Sequence, residues 1–188
     1  ARALHYRPLE AEALHIQGLL TVSAGDPAKG EQLLNEALWS AQAGGHEEVL
    51  AKVAVALVEA AGVEQREHAE ARKWSRFAEA SLERLGGQPL LNAERLLHVG
   101  MLALDEGNPS EALEFLDRAL AELEKLLGPE HLEVAYVLLQ KGNALLMLQR
   151  HEESLAVLRR ASAVREKLLG PDHPAVASAL RSMGFALM

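Results

Sequence analysis

Histidine is the residue of this sequence with the widest chemical range, and the chain contains eight of them. Neutral imidazole binds zinc and other transition metals, and its ordinary pKa suits proton transfer near neutral pH. No two histidines have the His-x-x-x-His spacing that places two metal ligands on one helix face. We therefore expect no metal or cofactor site. His131 and His173 occupy equivalent positions of an internal repeat, which favours a structural role for both.

Motifs that carry other kinds of catalysis are missing from the sequence. It contains no Gly-x-x-x-x-Gly-Lys phosphate loop, no Gly-x-Gly-x-x-Gly turn and no Gly-x-Ser-x-Gly nucleophile elbow. The kinase motifs Val-Ala-Ile-Lys, His-Arg-Asp and Asp-Phe-Gly are also missing. We predict that this chain is not an enzyme, although the protein from which it comes could carry a kinase domain.

Composition narrows the range of partners. The formal net charge is -8 with both signs interspersed, which argues against nucleic acid and anionic membranes as partners. There is no cysteine, and no apolar run reaches the length of a membrane span, so we expect a cytoplasmic location. The first residue is Ala, which we interpret as a sign that the chain is a piece of a longer protein.

One phrase occurs twice and sets the organisation of the chain. Glu-Lys-Leu-Leu-Gly-Pro-Glu-His begins at Glu124 and returns at Glu166, with Asp172 in place of Glu130. When 108–146 is aligned with 150–188, 19 of 39 pairs are identical. A fixed period of about 42 residues indicates a solenoid, in which each unit buries its apolar face against a neighbour.

Helical periodicity alternates with short breaks along the whole chain. Asp26 and Pro27 are typical of an N-cap and a first helical residue, and Gly128 of a left-handed C-cap. The segment 62–67 reads as a polar break after a very apolar helix over 47–61. The pattern predicts about nine helices in a single solenoid domain, 1–188. Residues 1–7 form a tail, and the repeats cover about 8–44, 45–87, 88–128, 129–170 and a half repeat over 171–188.

Small residues recur at constant intervals within the predicted helix pairs. Gly18, Gly100, Gly142 and Gly184 stand at one position of the repeat, and Gly30, Ala112 and Ser154 stand at a second position, in the helix that follows. A small residue allows two helix axes to approach closely. We therefore expect these residues to lie where the paired helices cross.

The phrase, the small residues and the period together resemble the tetratricopeptide repeat, in its longer kinesin-light-chain type. The resemblance implies an all-α, right-handed superhelical solenoid of antiparallel helix pairs. The stretches 6–14 and 82–87 are also similar to the repeat region that follows the catalytic domain in some bacterial serine/threonine protein kinases. That likeness implies a regulatory part of a signalling protein.

In that repeat family, the first helix of each pair lines a concave groove that binds peptides. The positions that match are three before, one after and five after the small residue: His15, Leu19 and Ser23; Leu97, Met101 and Asp105; Leu139, Asn143 and Met147; Arg181 and Phe185. The family's clamp for a peptide carboxylate needs several basic and amide side chains, and this chain offers only Asn143 and Arg181. The groove therefore suits an amphipathic helix or an extended apolar peptide. The leucines could instead pack against neighbouring helices.

Three functions remain open from the sequence. The leading hypothesis is a scaffold that binds a protein or peptide segment in its groove. A second is a sensory domain that binds a small molecule or peptide and regulates an attached kinase or transcription factor. A third is self-association through 173–188, where Val176, Leu180, Met183 and Leu187 form an apolar helix face without a following helix.

Overall fold

A computed structural model describes residues 6–64 and 67–188. Every regular element in these two ranges is helical, which confirms the predicted all-α class. A π-helical turn, Ala60–Glu64, follows the third helix. Residues 1–5 of the predicted tail lie outside the described residues, and Arg7 begins the first helix. The helices are α1 (Arg7–Ser23), α2 (Pro27–Gly44), α3 (Glu47–Glu59), α4 (His68–Arg84), α5 (Pro89–Asp105), α6 (Pro109–Leu127), α7 (Leu132–Met147), α8 (His151–Leu169) and α9 (Pro174–Ala186).

The helices belong to two compact units, whose boundary in the sequence lies inside α5. Unit 1 extends to His98 and unit 2 covers 99–188. In unit 1, α1, α2, α3 and α4 each pack against the next helix in the sequence, and in unit 2 the same holds for α6, α7, α8 and α9. The division into four and a half repeats of one solenoid domain stays a prediction.

Unit 1 is built around α3. Its residues from Val49 to Val58 are all buried except Lys52, so α3 is enclosed on several sides, as its apolar sequence predicts.

The predicted N-cap of α2 is confirmed, because the Asp26 side chain accepts a hydrogen bond of 3.2 Å from the backbone N–H of Lys29. Gly45 then ends α2 with a left-handed backbone, at φ 66° and ψ 28°.

The break predicted over 62–67 is wrong in its first part. The chain stays helical through Ala60–Glu64, where the helix widens into a π turn. Ala60 and Ala61 are buried, and this burial favours continued packing over an exposed loop. Inserted residues are often absorbed in this way, as a single wide turn inside a helix. Residues 65 and 66 of the predicted break lie outside the described residues.

In unit 2, the two copies of the repeated phrase form the same turn between helices. Gly128 ends α6 at φ 84° and ψ 164°, and Gly170 ends α8 at φ 87° and ψ 158°. This region is accessible essentially only to glycine, and it differs from the left-handed C-cap predicted for Gly128. Nδ1 of His131 then accepts from the N–H of Glu133 at 3.2 Å, and Nδ1 of His173 from the N–H of Ala175 at 3.1 Å. The expected structural role of both histidines is confirmed, because each caps the next helix.

Within three hairpins, a glycine of the first helix contacts a leucine of the second helix. The pairs are Gly18 with Leu34, Gly100 with Leu116 and Gly142 with Leu158, and all three leucines are fully buried. A Cβ atom on Gly142 would lie 2.4 Å from Cδ2 and 2.5 Å from Cγ of Leu158. The contacts of Gly18, Gly100 and Gly142 confirm the close crossings predicted at these three residues. The close crossing predicted at Gly184 in α9 is wrong among the described residues, because a Cβ there would meet nothing within 4 Å.

Gly142 and Gly184 therefore provide a matched pair of substitutions at equivalent repeat positions. Gly142→Ala should lower the free energy of unfolding by about 1–3 kcal/mol, because its methyl group overpacks Leu158. Gly184→Ala should raise it by up to about 1 kcal/mol, because alanine is the better helix former and the site is open. Urea unfolding followed by circular dichroism measures both. A midpoint for Gly142→Ala equal to or above that of the wild type would contradict the contact.

Candidate functional site

Unit 1 contains a cavity of about 300 Å³ on the side of its first helices. The cavity is open to solvent, and three helices, α1, α3 and α5, supply nearly all of its lining. The lining residues are His15, Leu19, Glu48, Lys52, Val55, Ala56, Glu59, Gln88, Leu90, Leu91, Glu94 and His98. Two of the predicted groove residues, His15 and Leu19, are among them.

Helical spacing brings these side chains to one place. His15 and Leu19 are one helical turn apart, and Glu48, Lys52, Val55 and Glu59 recur at intervals of three or four along α3. Residues at such intervals lie on the same face of a helix. Val55 and Ala56 are buried beneath the cavity, whereas Leu90 stays 44% exposed. The cavity therefore has an apolar floor with one exposed apolar side chain at its edge.

The charged groups of the cavity are mostly carboxylates. Glu48, Glu59 and Glu94 contribute three, against the single ammonium group of Lys52. Lys52 is paired with Glu48, and the hydrogen bond and charge of that ammonium lower the pKa of Glu48. Nε2 of His98 lies 3.8 Å from Oε2 of Glu59. Burial, and then the charge of Lys52, lower the pKa of His15, so its ring is neutral at pH 7.

In unit 2, the predicted groove residues lie along α7, α9 and the end of α5. Oδ1 of Asn143 accepts a hydrogen bond of 2.9 Å from the Ser182 hydroxyl, which joins α7 to α9. The Tyr136 hydroxyl donates to the sulfur of Met101 at 3.7 Å. Met147 is half exposed, and Arg181 and Phe185 are exposed on α9.

A buried arginine connects the helices that carry these residues in unit 2. Arg165 of α8 donates hydrogen bonds to the carbonyl of Ala175 at 2.8 Å and to the Ser178 hydroxyl at 2.9 Å. Its guanidinium carbon lies 6.0 Å from the centre of the Tyr136 ring. Burial lowers the pKa of Arg165 from its ordinary value, but a guanidinium stays charged. The arginine thus ties the first turn of α9 to α7 and α8.

Two predicted groove residues are buried instead of lining an open surface. Leu97 is 4% exposed and Leu139 is 7% exposed. Leu139 packs in one cluster with Leu158 and Ala179, so α9 covers it. Both leucines therefore contribute to packing between helices, as the alternative interpretation of the sequence allowed.

Sequence reasoning missed most of the cavity in unit 1. No groove residue was predicted in the second repeat. The break between its two helices is longer than in the other repeats, so the sequence does not fix the register of α3. A signal was nevertheless present: Lys52 and Glu59 interrupt an otherwise apolar helix at spacings that place them on one face with Glu48. Charged side chains on a helix that is otherwise buried indicate the face of that helix that remains accessible to solvent.

In the part of the chain that the structure describes, no three His, Asp or Glu side chains lie close enough together to hold a metal ion. None of the helices in the same ranges is long and apolar enough to cross a bilayer.

Two family models of the tetratricopeptide repeat match the sequence, one over residues 93–133 and one over residues 133–187. Together they span slightly more than half of the chain. The chain is a tetratricopeptide repeat protein. Such repeats generally mediate protein–protein interactions, and the family and its fold are non-catalytic scaffolds. The search against curated protein sequences gave no significant match.

Three solved structures have the same fold as this chain. BtubC (BKLC) from P. vanneervenii superimposes with a TM-score of 0.82 at 20% identity, over 98% of this chain and 76% of that chain. Two structures named for the nearly identical TPR-like repeats of a Podosopora anserina putative kinesin light chain give TM-scores of 0.75 and 0.74. Both are 16% identical and cover 95% of this chain, and the match includes 85% and 86% of theirs. These likenesses establish the solenoid fold class.

Proposed function

We propose that this tetratricopeptide repeat protein binds a peptide or helix of a partner protein on the surfaces formed by its first helices. The observation that carries the proposal is the cavity of unit 1, where α1, α3 and α5 converge. Its volume of about 300 Å³ is at the lower end of the range for ligand pockets. A site of this size accepts one or two side chains of a peptide.

The face of unit 2 supports the same function. Asn143 is one helical turn from the half-exposed Met147 on α7, and Arg181 is one turn from the exposed Phe185 on α9. An apolar anchor next to hydrogen-bonding groups is the usual composition of a peptide-binding surface. Methionine adapts its shape to different partners.

We further propose that the chain is a regulatory region of a larger bacterial signalling protein that acts in the cytoplasm. The support is the resemblance of 6–14 and 82–87 to the repeat regions of bacterial serine/threonine kinases. A sensory role toward a small molecule is the alternative, since the cavity could also hold such a ligand. The sequence of the full-length protein tests the regulatory proposal, and a parent without a kinase or other effector domain would contradict it.

The peptide-binding proposal can be tested with a library of random dodecapeptides displayed on phage. We expect the wild-type chain to select peptides, whose affinities fluorescence anisotropy then measures. His15→Trp fills the cavity of unit 1, and Asn143→Ala with Arg181→Glu removes both polar groups of the unit 2 face. Each selected peptide should lose about tenfold or more in affinity with one of these variants, because it loses its binding surface.

Trp39→Ala is the control, because Trp39 is exposed on α2, which is the second helix of its pair and belongs to neither proposed binding surface. This variant should bind all selected peptides as the wild type does. Circular dichroism verifies that every variant is folded. Recovery of no peptide above background, or wild-type affinity of all peptides for both surface variants, would overturn the proposal.

Self-association is a second candidate function, which the exposure of α9 favours. Leu180 and Leu187 are 52% and 71% exposed, whereas Leu138 and Leu145, their equivalents one repeat earlier, are buried. Phe185 and Met188 add further exposed apolar surface. A contiguous apolar face of this kind favours contact with a partner, and a second copy of the chain would offer an identical face.

Light scattering at increasing protein concentration tests this second candidate. The wild type should form a weak dimer, and Phe185→Lys with Met188→Lys should shift it toward the monomer, because the apolar contact is lost. The charge-matched control is Gln32→Lys with Gln42→Lys, at exposed positions of α2, which should dimerise like the wild type. A wild-type chain that remains monomeric at high concentration would rule the candidate out.

A further inference from the structure

The residues that line the cavity of unit 1 indicate the chemical class of the ligand that the cavity would bind. We infer that it binds a basic amphipathic peptide segment, with an apolar side chain against its floor and a neighbouring Lys or Arg among its carboxylates. The inference rests on the proposed peptide-binding function and adds the chemistry of the partner.

The floor of the cavity requires an apolar side chain. Val55 and Ala56 are buried beneath it, and Leu19 and Leu91 are partly buried at its sides. None of these four side chains can hydrogen-bond, so a polar group placed among them would lose its contacts with water without compensation. A leucine, isoleucine, methionine or phenylalanine side chain instead gains the free energy of burying its surface.

The charges of the cavity favour a cation beside that apolar side chain. Glu59 and Glu94 lie on α3 and α5 and both line the cavity. Glu59 faces the His98 ring at 3.8 Å, and its side chain is 39% exposed, so its carboxylate remains accessible from solvent. A carboxylate offers about four lone-pair positions, so it can accept hydrogen bonds from a ligand in addition to its contacts within the protein. A guanidinium or ammonium group is the natural donor to these oxygens.

The same charges disfavour an acidic partner. Among the described residues that line the cavity, Lys52 is the one permanent cation, and its ammonium is paired with Glu48. The ring of His15, which burial keeps neutral at pH 7, adds no positive charge. An acidic peptide or a peptide C-terminus would therefore face a surplus of carboxylates, and like charges in an interface reduce affinity strongly.

The selection from the phage library also tests this inference, through the peptides that His15→Trp weakens. We expect these peptides to have Lys or Arg next to, or one position removed from, a large apolar residue. Glu59→Lys with Glu94→Lys should weaken them by about tenfold or more and should favour acidic peptides in a fresh selection. Higher ionic strength should weaken the wild-type complexes, because their charges are screened.

The control for overall charge is Glu83→Lys with Glu152→Lys, which changes the net charge equally at exposed positions of α4 and α8. This double variant should bind the peptides with wild-type affinity. The inference would be overturned if the peptides that His15→Trp weakens were neutral or acidic, or if they bound the Glu59 and Glu94 variant with wild-type affinity. Either result would still support the peptide-binding function. A library that yields no binding peptide would overturn both.

Discussion

The contact between a glycine of the first helix and a leucine of the second is the constraint on which each of these hairpins depends. The backbone of one helix must come within van der Waals distance of the leucine side chain on the next, and a single methyl group at Gly142 would already overlap Leu158. Protein interiors are packed too closely to absorb such an overlap without cost. Ser154 strengthens the same crossing in unit 2, because its hydroxyl donates to the carbonyl of Gly142 at 2.9 Å.

This contact also decides which surfaces are left for binding. In unit 1, the second helix α2 fills the space beside Gly18, and the face of α1 with His15 and Leu19 stays free to border the cavity. The contact between α1 and α2 therefore lies on a different face of α1 from the residues that border the cavity. In the proposed peptide site, residues such as Glu59 and Glu94 supply the specificity, and they line the cavity without taking part in the contact between Gly18 and Leu34.

The sequence predicted the parts of the molecule that its repeats specify. The fold class, the structural role of His131 and His173 and the close crossing at Gly142 could be predicted, because two copies of the repeat that share 19 of 39 residues fix the period and the helix boundaries. The π turn Ala60–Glu64 and the cavity lining on α3 were missed, because the second repeat carries an insertion and lacks the glycine that sets the register. Leu139 was misplaced because α9 covers it, and periodicity does not show which neighbouring helix a leucine meets.

A double-mutant cycle on Gly142 and Leu158 tests the central claim most directly. Gly142→Ala alone should destabilise the protein through overlap with Leu158, and Leu158→Ala alone should cost about 2–5 kcal/mol through the cavity that it leaves. In the double variant, the cavity left by Leu158→Ala provides room for the methyl group at position 142. The double variant should therefore be more stable, by at least about 1 kcal/mol, than the sum of the two single losses predicts. The measurement is the free energy of unfolding in urea for all four proteins. Losses that add to within about 0.5 kcal/mol would show that Gly142 and Leu158 do not compete for the same space.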